Sequence, residues 1–252
     1  MARTTSTTKR QTSNLPVNYA EQLANEVSNI QQRIAAPSGD RIRMVNNSHF
    51  ALPNGQDAES IEGVVVDFVS SNLLFEGAYD KDNPSAPGCF AVGPEPTSLV
   101  PTSNSPNKQA ETCAVCPNNQ FGSAGKGKAC KNTRLLAIKP IDAEDDNIYV
   151  LSVPPTSIKA FDGYVHTLAG KHRLPPVGVV TRVTLDKNES FAAPRFEVVR
   201  PLTNDELGGY MEARTQARER LVTEPDFTQY NAPAPAGRGA ARGAAPTVRG
   251  RR

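Results

Sequence analysis

The sequence predicts an α+β fold, mainly β with flanking helices. Apolar runs of strand length, rich in valine and phenylalanine, recur between residues 41 and 202, and such side chains suit a pleated, half-buried surface. Three other stretches carry helical apolar spacing or helix-capping pairs. A segment rich in Pro, Gly, Asn and Ser, at about residues 80–131, divides the early strands and contains every cysteine.

Taken in order, residues 1–17 form a basic arm too polar to fold, and a first helix follows on Tyr19, Leu23, Val27, Ile30 and Ile34. Asn18 and Glu21 are spaced as a capping box, and Pro37 and Gly39 stop the element. Strands are expected in RIRMVNNSHFAL (41–52), EGVVVDFVSSNLLFEGAYD (62–80), RLLAIKPI (134–141) and NIYVLSVP (147–154). A second helix is expected over 156–169, with Ile158, Phe161, Val165 and Leu168 on one face, Thr156 or Ser157 as N-cap and Gly170 beyond its end. VGVVTRVTL (177–185) and PRFEVVRPL (194–202) are the last strands. A final helix over 203–222 opens on Thr203 and Glu206, again spaced as a capping box, though its apolar stripe is thin. The tail, 223–252, is alanine, proline, glycine and arginine and lacks the apolar content to fold.

Three or four strands, a helix and two strands is the order of an OB-type barrel, whose helix lies between its third and fourth strands. A generic α+β sandwich shares that order. The expected architecture is an OB-type barrel with a long loop insertion at about 80–131, forming one OB-like domain over residues 18–222.

Charge is unevenly spread. Of 28 Lys and Arg residues, eight lie in residues 1–14 and 231–252 with no acid among them, leaving 20 cations against 26 acids in the body. An acidic body between two basic ends suits a polyanionic partner, although solubilising ends share the pattern. No stretch approaches the ~20 apolar residues that a bilayer requires, so no membrane association is expected. The opening MARTTSTTKRQTSN lacks the apolar stretch of a secretory signal, and a reducing cytoplasm is the expected compartment.

Cys113 and Cys116 form a C-x-x-C pair, with Cys89 upstream and Cys130 downstream. Two cysteines three positions apart can both reach one tetrahedral ion at about 2.3 Å per Zn–S bond. Four thiols in one insertion and none elsewhere point to a single structural zinc ion whose coordination is filled by protein. Two disulfides fit the even count but are rare in a reducing compartment. An iron–sulfur cluster also takes four thiolates and stays open as an alternative. Pro117, Asn118 and Asn119 after Cys116 speak against a thioredoxin-like pair, which would open a helix.

Gly122-Ser123-Ala124-Gly125-Lys126-Gly127-Lys128-Ala129 nearly spells a phosphate-binding P-loop. Alanine stands where the magnesium-binding hydroxyl belongs, and no apolar strand leads in, so nucleotide hydrolysis is not expected. What remains is composition: Lys126, Lys128, Lys131 and Arg134 fall within nine residues without an acid. Phe75, Tyr79, Phe90 and Phe121 flank or enter this basic run. Stacking a base on an aromatic ring contributes about 1–3 kcal/mol, so a few exposed rings in a basic groove suffice for single-strand binding. Core packing is the competing role for each ring. His49, His166 and His172 have neither metal nor triad spacing, and no nucleophile, metalloprotease or paired-carboxylate motif appears. No enzyme is expected.

The run CAVCPNNQFGSAGKGKACKNTRLLAI, followed by YVLSVPPTSIKAF, resembles tailed-phage proteins associated with replication that bind single-stranded DNA. The resemblance spans roughly residues 60–200. It implies an OB-fold, in some members with an inserted zinc loop. Such proteins often end in acidic residues that recruit replication partners, whereas this tail is rich in arginine and glycine, which implies a direct role on nucleic acid. The expected function is sequence-tolerant binding of single-stranded DNA in phage replication or recombination, in the host cytoplasm, with phage replication proteins as further partners. The residues expected on the strand are Phe75, Tyr79, Phe121, Lys126, Lys128, Lys131, Arg134, Arg238 and Arg242, with zinc on Cys89, Cys113, Cys116 and Cys130. The alternative is a zinc-stabilised structural or protein-interaction module of a phage particle or transcription complex.

Overall fold

The computed structural model describes Tyr19 and residues 41–77, 85–141 and 147–222. The expected basic arm, the first helix beyond Tyr19, Tyr79 and the tail with Arg238 and Arg242 lie outside the described residues, as do residues 142–146.

β1 (Arg41–Val45) and β2 (His49–Ala51) form an antiparallel hairpin, extended by β3 (Asp57–Ala58). The apolar run at 41–52 is divided at Asn46, whose φ of 51° lies in the left-handed region that Asn tolerates better than most residues. β4 (Ser60–Leu74), β5 (Cys89–Gly93), β6 (Lys131–Pro140), β7 (Tyr149–Val153), β8 (Val179–Leu185) and β9 (Pro194–Pro201) complete one mixed sheet. Its order is β3-β2-β1-β7-β6-β4-β8-β9, with β5 on β4. One edge of β4 carries β6; the other carries β8 near Ser60 and Gly63, then β5 between Ser70 and Leu74. The expectation of loop throughout 80–131 therefore needs correcting. CFAVG is short, but it buries Phe90 and Ala91 by pairing with β4.

A bulge in β4 between Val65 and Asp67 sets which residues face which core. Side chains alternate along a strand, so one inserted residue swaps the faces beyond it. Ile61 and Val65 join the inner core, and Phe68 packs against it although it lies three positions past Val65. Val66 and Val69 share the outer cluster in the same way.

Each face of the sheet has its own helix. α1 (Ile158–Thr167) inserts Phe161 and Tyr164 into the inner core, and Leu168 joins them from a π-helical turn that carries the chain to His172. The helical run therefore passes the expected stop at Gly170 and ends at Arg173, which adopts φ 54°. α2 (Asn204–Val222) covers β4 and β6 on the outer face through Ala213, Ala217 and Leu221. Small alanines explain why its apolar stripe is thin in the sequence. Its capping box forms: Glu206 accepts from the Thr203 N–H at 2.8 Å, and the Glu206 N–H donates to Thr203 Oγ1 at 3.4 Å. Arg214 and Arg218 also reach Asp67 beside the bulge, at 3.9 and 3.3 Å.

With β5 set aside as a side strand on β4, the run β4-β6-β7-α1-β8-β9 sets the helix between its third and fourth strands; with β5 counted, the helix follows the fourth. Among the described residues strand pairing does not close the sheet, because β7 pairs with β1 rather than with β9. The ends meet through a side chain instead. Asn47, between β1 and β2, donates its amide to the backbone carbonyls of Asp186 and, at 2.8 Å, Glu189, between β8 and β9. The sheet is thus a curled half-barrel around α1. Among the described residues no helix is long and apolar enough to cross a membrane.

Candidate metal centre and nucleic-acid interface

The insertion is organised from its backbone outward. Thr102 N–H donates to Phe90 O at 2.9 Å and Asn107 N–H to Gly88 O at 2.7 Å, folding the chain over β5. Ser105 Oγ bridges both backbone groups of Phe90, at 2.9 and 2.8 Å. Cys113 N–H then donates to Leu99 O at 2.9 Å, and Cys130 N–H to Asn118 O at 2.8 Å. These bonds carry Cys113, Cys116 and Cys130 to the end of β5, where Cys89 begins the strand.

All four cysteines are buried and unbridged, and all line one cavity with Asn72, Phe90, Asn118 and Asn119. Its volume is about 10 Å³, about the least that holds a single small occupant. Burial pushes the Cys113 thiol up, and Cys89 and Cys116 add to the rise against an opposing hydrogen bond with Asn72. Burial is also the main cause at Cys130, whose pKa is pushed up to about 12 with help from the other three thiols; nearby Lys128 opposes the rise. Among the described residues, however, no three His, Cys, Asp or Glu side chains stand ready as a metal-ligand group. The pocket gathers the thiols without presenting them at ligand spacing.

The polar residues after the C-x-x-C pair hold its turn closed. Pro117–Asn119 is one 3₁₀ turn. Asn119 Nδ2 donates to Cys113 O at 2.8 Å, and Gln120 Nε2 to Ala114 O at 2.9 Å. Ser123 Oγ donates to Gln120 O at 2.7 Å and accepts from Ala129 N–H at 2.9 Å. Asn119, Gln120 and Ser123 of the Asn-Asn-Gln-Phe-Gly-Ser run are thus backbone clamps, and Phe121 is the large apolar side chain of the run that is exposed.

The glycine-rich stretch is a small hairpin. Gly122 and Gly125 take φ of 94° and 62°, Ala124 and Gly127 bond across it at 3.3 and 3.1 Å, and Gly122 N–H donates to Gly127 O at 2.9 Å. Those amides point inward and β6 follows instead of a helix, so the near P-loop offers no phosphate cradle.

Phe121 is 83% exposed with Lys128 Nζ 5.1 Å from its ring, and Phe75 is 38% exposed with Lys131 Nζ 5.7 Å from its ring. Two cation–π pairs therefore border the insertion. Lys126 is exposed at the hairpin tip. Phe90 is buried in the fold. Arg134 lies apart from the lysines: its guanidinium meets Asp162 of α1 at 3.3 Å and Ser70 Oγ at 3.1 Å, a tie between β6 and the helix. No local pattern announces that tie, because Asp162 is 28 residues away. No family model, no curated protein and no solved structure matches the chain.

Proposed function

We propose that the protein binds single-stranded DNA without sequence preference, through the edge of an insertion held together by one zinc ion. The carrying observation is the pair of exposed rings, Phe121 and Phe75, each with a lysine ammonium beside it where the insertion joins the sheet. A ring offers a stacking platform to any base, and the adjacent lysine neutralises a phosphate, so affinity comes without base reading. Lys126, Lys128 and Lys131 contribute charge there, and Arg238 and Arg242 add a tail that follows the backbone. The run β4-β6-β7-α1-β8-β9 is read as an OB-type barrel, opened and extended by β1 to β3.

Cys89, Cys113, Cys116 and Cys130 would hold the zinc. The donor set fits, being four sulfurs that line one cavity with no carboxylate among its described lining residues. Bound zinc would supply a cross-link with no open position. The protein's own share is the clamp of Asn119, Gln120 and Ser123, which holds the C-x-x-C turn closed.

Elemental analysis of the purified chain should give one zinc per protein, and Cys116→Ser should lose it. Iron, or no metal in folded protein, rejects the zinc assignment. For binding, a labelled oligothymidylate is titrated by fluorescence anisotropy at several salt concentrations. Log affinity should fall with log salt at about −0.7 per phosphate neutralised. Changing Lys126, Lys128 and Lys131 to alanine, or deleting residues 231–252, should weaken binding and flatten the slope. Unchanged slopes in both variants favour the protein-interaction alternative, in which the exposed Val115 and Phe121 form an apolar contact.

A further inference from the structure

We infer that the groove where β1 parts from β7 is a second contact for the same single strand, with Arg41 and Arg43 on phosphates and Phe191 stacking a base. This rests on the single-strand reading above and adds residues that the insertion does not include.

The groove arises from strand pairing. β1 runs parallel to β7 at two positions only, Arg41 beside Val150 and Ile42 beside Leu151, and its next three residues pair with β2. Where the two strands diverge, a cavity of about 670 Å³ opens, lined by both strands, Pro154, Thr156, Phe191 and Ala192. Alternation along β1 sends Ile42 into the core and leaves Arg41 and Arg43 exposed. Among the described residues, two arginines and no acid line the groove.

Those arginines differ from their neighbours. Arg134, Arg182, Arg195, Arg200 and Arg218 each face a carboxylate within 3.3 Å. Among the described residues, Arg41 and Arg43 face none. The nearest acids along the chain of the opposite wall, Asp186 and Glu189, are turned to Arg195 at 2.7 and 4.0 Å. Unsatisfied guanidinium groups above an acid-free floor suit an anionic backbone.

Phe191 supplies the stacking surface. It is 42% exposed, in a connection held by Asp186 N–H to Ala193 O at 2.9 Å and by the Asn47 side chain on Asp186 and Glu189. An exposed ring on a fixed loop loses little freedom when a base covers it. Register also relates this groove to the insertion. Arg41 aligns with Val150 and Val150 with Ala137, and the two-residue period carries that face of β6 down to Lys131. The separation is two strands across and six residues along, roughly 20 Å. α2 covers the β4 and β6 part of this face, so the strand would run beside the helix along β7.

The test uses the full-length chain and a labelled oligothymidylate of about 20 nucleotides, longer than the 4–16 covered by one OB-type site. Arg41→Ala with Arg43→Ala should reduce the salt slope by about 1.4, two phosphates at about 0.7 each. Arg41→Lys with Arg43→Lys should keep the slope, which separates charge from misfolding. Phe191→Ala should weaken binding roughly 5- to 150-fold with the slope unchanged. If the alanine variants bind like wild type while the Lys126, Lys128 and Lys131 variant does not, the groove is not a strand contact and the insertion reading survives. A groove that receives a polypeptide strand gives that same result. A wild-type chain that binds no oligonucleotide overturns both.

Discussion

Replacing Phe161 with alanine tests the inner core directly. The ring is fully buried and meets Phe68 of β4 edge-on at 5.1 Å and Phe196 of β9 at 5.2 Å, so it joins opposite walls of the half-barrel. Truncating a buried Phe costs about 3–5 kcal/mol, and each aromatic pair adds about 0.5–1.5 kcal/mol beyond its buried area. The loss should therefore fall near the top of that range, about 5 kcal/mol. Domains are stable by only about 5–15 kcal/mol, so the variant should be close to unfolding. The chain has no tryptophan, and urea unfolding is best followed by far-ultraviolet circular dichroism. With a slope of about 2–3 kcal/mol/M, the midpoint should drop by about 2 M. A loss below about 1.5 kcal/mol at unchanged slope, the cost of a volume-conserving swap, would mean that α1 does not plug the sheet.

Two further outcomes follow from local geometry. A Cβ at Gly63 would lie 2.8 Å from Lys139 O and 2.9 Å from Ile138 Cγ2, so Gly63→Ala should cost about 1–3 kcal/mol through a forced backbone shift; an unchanged melting temperature would show that β6 yields freely. Glu206 is held down to about 2 by its hydrogen bond with Arg200 and then by the Thr203 backbone N–H. Its folded pKa lies below the unfolded value of about 4.3, so its contribution is present above that value and is lost as pH falls toward 2. Protection factors of the amides at the start of α2, taken relative to the intrinsic rate at each pH, should fall across that window in wild type but not in Glu206→Gln.

Much of this architecture is legible in the sequence because local rules agree with the fold. Thr203 and Glu206 announce α2, and the spacing of Phe161 and Leu168 announces α1. What escapes is set by distant partners. CFAVG becomes β5 only because β4 offers it an edge, and nothing local distinguishes those five residues from the surrounding loop. The bulge near Asp67 is equally hidden, since VVVDFV is apolar on both faces and has no alternation to break. At the cysteines, the sequence supplied the donors and the fold supplied their shared cavity. Arg41, Arg43 and Phe191 carried no motif at all; their juxtaposition exists only once the sheet has curled.

That curl depends on a contact with an unusual kinetic position. Asn47 and the carbonyls of Asp186 and Glu189 are 139 and 142 residues apart, so they meet only after the intervening chain has paid the entropy of a very long loop. The Asn47 Oδ1 is meanwhile buried without a hydrogen-bond partner among the described residues, a condition that costs about 1–3 kcal/mol. A latch that closes last and carries its own penalty is the natural place for the half-barrel to breathe. Hydrogen exchange should find the amides around β1, β2 and the β8–β9 connection opening ahead of the β4–β6 pair.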